Sequence, residues 1–347
     1  MAGPGKGALF ASEWRRFADA VTSETVIRLT DPGYTSSLAA HYNRSVAESN
    51  GWLLYGCDRT ALMQAFRLDL KKGQATQLTN AAAGVDPYSL SILPGDKAII
   101  YFSGSDLWTT TLAKLAERKL YSGPDDWPRA PGLATTRDGR YAVFIERNSG
   151  RSRLRILPVA GGEPRTVLEM DFEAADPIPR PGTTQILYRQ ADGALWLVKA
   201  DGGSPRKLEL APGCVGPAYF TEDGATLLYL GFPADTKQPV ALRELSLEPN
   251  TDSLVVNTNH YAQFAFNRDA SVFLGAMNSA ASPAITLLLR VNRRERMLCE
   301  HRSSQPARTM PMFSPDAQWV FFQSDRHGKP ALYAMKVDRL VEKTEEA

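Results

Sequence analysis

Six polar side chains could bind or transform an anionic ligand: Arg44, Arg180, His260, Gln263, Gln305 and Arg308. They fall in four short runs, HYNRS (41–45), DPIPR (176–180), NHYAQF (259–264) and HRSSQPARTMPMF (301–313). Guanidinium groups hold carboxylates through paired hydrogen bonds, so arginines gathered at one mouth suit an acidic ligand. His260 is the candidate for moving a proton near neutral pH. The blander reading is that all six are scattered rim residues.

Other chemistries find little support. The four histidines, His41, His260, His301 and His327, form no HxH or HExxH pair, so a site built mainly from imidazole is not expected. There is no GxSxG elbow and no P-loop. GPGKG (3–7) lacks the strand and helix that a phosphate loop needs, and reads as a flexible tail. Cys57, Cys214 and Cys299 are odd in number, far apart and in no CxxC pair, which points to free thiols in a reducing compartment. Forty basic and 38 acidic side chains leave a net charge of +2, which gives no broad electrostatic reason to expect nucleic acid or a membrane surface as partner. The opening MAGPGKGALFASEWRRF has no apolar h-region, and no apolar run is long enough to span a bilayer. The expected location is cytoplasmic.

The elements that must position these residues announce themselves by repetition. A turn followed by an apolar strand recurs as SNGWLLYG (49–56), PGDKAIIYF (94–102), RDGRYAVFI (137–145), PGTTQILYR (181–189), EDGATLLYL (222–230), RDASVFLGA (268–276) and PDAQWVFFQ (315–323). From Gly51 through Gly95, Gly139, Gly182, Gly224 and Ala270 to Ala317 the spacings are 44, 44, 43, 42, 46 and 47 residues. Even periods of this size mark propeller blades. Glycine supplies the positive φ of a tight turn. Alanine replaces it in two copies, so those turns are expected to use another geometry.

Third strands follow at LMQAFRLDL (62–70), ALWLVKAD (194–201) and ALYAMKVD (331–338), and more polar fourth strands at GQATQLTN (73–80), EPRTVLEM (163–170) and SPRKLEL (204–210). The last unit lacks a fourth strand, and the N-terminus carries a spare one, ETVIRLTD (24–31). Lending it to the last unit removes an open sheet edge. The expected fold is all-β: a seven-bladed β-propeller of four-stranded blades, closed by an N-terminal strand in the last blade. Residues 1–23 form an N-terminal extension, 24–338 the propeller and 339–347 a charged tail. A two-domain sandwich would explain neither the spacing nor the spare strand. The Asp-Arg corners CDR (57–59) and SDR (324–326) are expected to tie blade turns to their neighbours, and His327 to be solvated.

Two stretches carry a resemblance to a known family. FASEWRRFADAVTSETVIRLTD (10–31), with LLYGCDR and LDLKKGQATQLTN after it, and QPARTMPMFSPDAQWVFFQSDRHGKPALY (305–333) resemble the oligogalacturonate lyases, cytosolic propeller enzymes that finish pectin breakdown. The resemblance implies β-elimination on short acidic sugars. A divalent metal, manganese, would hold the substrate carboxylate, and a positioned base would remove the C5 proton. The family's metal motif, approximately Gln-x-x-His-x-His with Phe following, keeps Gln305 and Phe313 but has Arg308 and Met310 in place of the two histidines. The blade-six histidine falls on Gln263, with His260 nearby. The expected His-Pro of blade four reads Asp176-Pro177, and the paired histidines after the first strand read Ser36-Ser37.

A guanidinium cannot ligate a hard divalent ion and a thioether does so poorly. No metal is therefore expected, although manganese would be the cofactor if the family site persisted. Arg308 is the candidate to grip a uronate carboxylate in the metal's stead. The expectation is a divergent oligogalacturonate lyase-like propeller that takes an acidic oligosaccharide. The competing reading is a non-catalytic propeller binding a small anion or a protein partner at the channel mouth. A propeller accessory domain of the kind found beside serine peptidases or in translocation proteins is disfavoured.

Overall fold

Seven copies of one local event build the structure: a tight turn in which the chain leaves the inner strand of a blade and returns as the second. The computed structural model describes residues 5–258 and 260–337; residues 1–4, Asn259 and 338–347, which include the C-terminal tail, lie outside the described residues. The second strands are Trp52–Thr60, Ala98–Ser103, Tyr141–Asn148, Gln185–Gln190, Thr226–Phe232, Val272–Met277 and Trp319–Ser324. Each lies in a separate antiparallel sheet, so the described residues form a seven-bladed propeller. One expectation is corrected here. The two alanine turns keep the glycine geometry, with φ of 55° at Ala270 and 56° at Ala317 beside 77°, 69°, 70° and 70° at Gly95, Gly139, Gly182 and Gly224. The blade closes the turn by its strand pairing and imposes the left-handed conformation on a residue that disfavours it by about 1–2 kcal/mol.

The spare strand closes the ring. Thr25–Arg28 pairs antiparallel with the third strand of blade seven, Ala331–Lys336, through Ile27 opposite Ala334 and Arg28 opposite Tyr333. Arg15–Ala18 adds a fifth strand outside it, and Leu9–Phe10 pads the outer edge of blade one. The Ser-Glu-Trp segment between them is tied in by Glu13, which accepts from the Asp31 amide at 2.9 Å and pairs with Arg59 at 2.7 Å. Arg59 belongs to the first Asp-Arg corner. At the second, Asp325 accepts the Ser304 amide at 2.8 Å and Arg326 donates to the Glu300 carbonyl at 2.7 Å. Both corners stitch neighbouring segments together, as expected.

Apolar side chains gather in seven clusters, one between each pair of adjacent blades. The one that closes the ring sets Ile27, Leu29, Phe321 and Leu332 against Leu53, Tyr55 and Phe66. Burial between blades rather than along the axis leaves the channel free for polar groups.

Candidate active site

The inner strands line the channel, and all enter their blades from the same face. They are Ser36–Ser37, Ser91–Ile92, Arg129–Thr135, Ala174–Pro179, Cys214–Phe220, Tyr261–Phe266 and Met312–Phe313. Residues that precede them gather at one mouth, the entry mouth, and residues that follow them at the other, the turn mouth.

Blades three to six share an irregularity near the entry mouth. Their inner strands slip register between Arg129 and Leu133, Ala175 and Ile178, Val215 and Ala218, and Tyr261 and Gln263. A bulge of this kind bends the strand and re-aims a side chain. In blade four it puts Asp176 at φ 50°. Blade three makes room with Gly132, at φ 102°, where a Cβ would meet the Tyr42 hydroxyl at 2.7 Å and the Asp176 Cα at 3.0 Å.

Blade one supplies a plug. After Ser37 the chain leaves the sheet and crosses the channel, leaning on blade two through Ala40 N–H to Tyr88 O (3.0 Å) and Ile92 N–H to Arg44 O (2.9 Å). The His41 ring lies 4.5 Å from that of Tyr219 in blade five. The Tyr42 hydroxyl donates to Asp176 Oδ1 at 3.0 Å, and Tyr88 donates to the same oxygen at 3.2 Å. Arg189, from the second strand of blade four, is anchored to the carbonyls of Val215 (2.7 Å) and Gly216 (2.6 Å) and forms no ion pair among the described residues. On the turn side of the plug lie cavities of about 700 and 490 Å³ that both reach His41 and Tyr219. Arg137 and Arg268 both pair with Glu222 there, at 2.5 and 2.6 Å.

Burial dominates the electrostatics of this cluster. It pushes the Asp176 carboxyl above the usual range, opposed by the Tyr42 hydrogen bond and the Arg189 charge. It raises both tyrosine hydroxyls, with Asp176 adding to the effect. His41 falls to about 3 because burial and then the Arg189 charge both disfavour the imidazolium. Burial thus favours the neutral form of each of these groups, and for His41 the Arg189 charge acts in the same direction.

The six residues singled out in the sequence divide between the two mouths. Arg44 and Arg180 lie at the turn mouth with their guanidinium groups engaged. Arg44 pairs with Glu48 at 2.9 Å and Asp96 at 2.7 Å. Buried Arg180 donates to Gly224 O at 2.7 Å and Gln185 Oε1 at 2.6 Å. His260, Gln263, Gln305 and Arg308 lie at the entry mouth. His260 is exposed, immediately ahead of the blade-six inner strand. Buried Gln263 donates Nε2 to Ala307 O at 2.8 Å, which fixes it against the 3₁₀ turn Pro306–Arg308. Its Oε1 is buried with no partner. Gln305 and Arg308 are exposed, and Arg308 makes no ion pair with a described residue. Tyr88, Arg189 and Tyr219 were not among the sequence candidates. Each sits in an ordinary strand or turn context, and no local motif marks it.

A seven-bladed propeller with a plugged channel, a half-buried cluster of acid and base groups and an arginine at the entry mouth is a class of site suited to an anionic ligand. The comparisons narrow the class. A family model described as oligogalacturonate lyase matches residues 4–150. The chain is 26% identical to an oligogalacturonide lyase of Pectobacterium atrosepticum, over 96% of this chain and 98% of the relative. It is 25% identical to an oligogalacturonate lyase of Dickeya dadantii, with the same coverage. A solved structure described as oligogalacturonate lyase in complex with manganese superposes with a TM-score of 0.91 at 23% identity, covering 98% of this chain and all of that one. An oligogalacturonate lyase from Vibrio parahaemolyticus gives 0.89 at 22% identity, covering 96% and 99%. The chain is a seven-bladed propeller similar to oligogalacturonate lyases over nearly its whole length.

The residues here do not fit the manganese of that relative. Gln263 and Gln305 offer neutral amide oxygens, Arg308 is a cation, and partly buried Met310 packs against the core between blades seven and one. Among the described residues no group of three His, Cys, Asp or Glu is placed to hold a metal ion. A hard divalent cation needs several anionic or imidazole donors converging on one point, and the described residues of this mouth do not bring such a group together.

Proposed function

We propose that this protein takes short acidic, pectin-type oligosaccharides at the entry mouth and holds a uronate carboxylate with Arg308 in place of a metal ion. The observation that carries the reading is the 3₁₀ turn Pro306–Arg308: Arg308 is exposed and makes no ion pair with a described residue, and Gln263, fastened to that turn, keeps a buried Oε1 without a partner among them, where the resemblance aligns metal ligands. The guanidinium suits a carboxylate in bidentate geometry. A sugar hydroxyl donating to Gln263 would satisfy an atom whose isolation costs about 1–3 kcal/mol. His260 and Gln305 flank the same mouth as further sugar contacts. The reaction class is β-elimination, as the resemblance implies, acting on a carboxylate neutralised by arginine. Three unpaired cysteines accord with action in the cytoplasm.

Calorimetric titration with di- and trigalacturonate tests this. Wild-type protein should bind, binding should weaken as ionic strength rises, and Arg308→Ala should lose about 1.5–3 kcal/mol, roughly ten- to a hundredfold. Absence of binding to any acidic sugar would sink the reading and favour a partner-binding propeller.

A further inference from the structure

Beyond the rim, the plugged channel holds groups that the acidic-sugar reading does not use. We infer that Asp176 is the base and Tyr42 or Tyr88 the acid of a metal-independent β-elimination in this channel, with Arg189 neutralising the carboxylate of the sugar that reacts while Arg308 holds that of the neighbouring sugar at the rim. The inference rests on the acidic-sugar reading above.

Two side chains from two blades converge on one carboxylate oxygen of a third. Tyr42 (blade one) and Tyr88 (blade two) both donate to Asp176 Oδ1 (blade four), whereas Oδ2 accepts no hydrogen bond from a described residue. Two donors fix the carboxylate and leave one oxygen free to accept a proton. The backbone is arranged for this. Asp176 takes a left-handed φ of 50° at a strand bulge, and Gly132 clears the space beside it. Non-glycine residues held in that region cost of order 1–3 kcal/mol and cluster at functional sites. Asp176 is half-buried and lies nearer the entry mouth than Ile178 and Pro179, which line the cavity on the turn side of the plug.

Arg189 completes the set. Its charge acts on Asp176, Tyr88 and Tyr42 together, and carbonyl anchors hold it without an acidic partner. Neutralising a uronate carboxylate makes the C5 proton more acidic, the task a metal performs elsewhere. Burial strengthens Asp176 as a base and keeps the phenols protonated as acids.

The step balances without a co-reactant. Asp176 takes the C5 proton, the C–H electrons form the C4–C5 double bond, and the C4–O bond breaks. The departing glycosidic oxygen takes a proton from a tyrosine hydroxyl. Asp176 is then a neutral acid hydrogen-bonded to a phenolate, and transfer along that 3.0 or 3.2 Å contact restores both groups.

The test follows product absorbance from digalacturonate and calorimetric binding, with chelator present, on the full chain. Wild type should turn over. Asp176→Asn, which can still accept both tyrosine hydrogen bonds, should bind within a few-fold of wild type and lose about 10²–10⁴ in turnover. Tyr42→Phe or Tyr88→Phe should lower turnover at least tenfold with binding kept. Thermal melts confirm that each variant is folded, and the tyrosine pair decides the matter if Asp176→Asn does not fold. The inference fails if wild type binds without making product, if folded Asp176→Asn retains turnover within threefold, or if both tyrosine variants do. Loss of turnover on His260→Ala with Asp176→Asn still active would move the base to the rim. Absence of digalacturonate binding by wild type brings down the functional reading itself, and this inference with it.

Discussion

Arg308 and Met310 stand where the family resemblance expects two metal-binding histidines, and their settings differ. Arg308 is exposed and makes no ion pair with a described residue, whereas partly buried Met310 packs against the core between blades. The mismatch with a metal is legible from side-chain chemistry alone. The burial of Met310, and the way Gln263 is pinned by Ala307, are not, because both depend on how blades six and seven meet. His41 offers a separate test. Its pKa is about 3 in the fold against an ordinary 6.5, so its contribution to stability is full above 6.5 and is lost as pH falls toward 3. Asp176 works in the opposite sense: its folded pKa is raised, so its contribution is full below the ordinary carboxylate value and is lost as pH rises through the folded value. Melting temperature should therefore fall on acidification below about 6.5 in wild type and fall less in His41→Leu. Equal acid sensitivity in the two proteins would show that His41 is not held neutral by the plug.

Turns and closing strands were the most legible elements because their chemistry is local. Glycine spacing locates every second strand, and a missing fourth strand with a spare at the other terminus points to the closure. The conformation of the two alanine turns departs from expectation, since strand pairing overrides residue preference there, and in the first turn Asn50 rather than Gly51 takes the positive φ, at 56°. Ala317→Gly should consequently stabilise the fold by about 0.5–1 kcal/mol, the left-handed penalty relieved less the added chain entropy. Gly224→Ala should destabilise it by more, because a Cβ would lie 2.3 Å from the Pro181 carbonyl oxygen. Thermal melts of the two variants should move in opposite directions. The plug was not legible. Tyr42 reaches a partner 134 residues away and Tyr88 one 88 residues away, and nothing in HYNRS or VDPYS requires either contact. The division of the six candidates between two mouths has the same origin: the sequence places them at blade boundaries without saying at which end of an inner strand each one falls.

The closed ring is what makes these contacts across the channel possible. Seven interblade cores act as a hoop, and the N-terminal hairpin fastens it. Thr22 Oγ1 donates to Leu298 O at 2.8 Å, and the Glu300 amide donates to Asp19 Oδ2 at 3.0 Å, so the hairpin also grips blade six. Deleting residues 1–31 exposes the edge of Ala331–Lys336, removes Ile27 and Leu29 from the blade seven–blade one core, and should lower the melting temperature of the whole propeller rather than of one blade. An unchanged melt would contradict the closure. Within that ring, the proposal above gives arginine the task of holding the uronate carboxylate. The most direct test is digalacturonate titration of protein dialysed against chelator, with elemental analysis of the same sample. The account predicts no stoichiometric manganese or zinc and an affinity unchanged from undialysed protein. One equivalent of tightly bound metal, lost in Gln305→Ala, with sugar binding only when that metal is present, would contradict it.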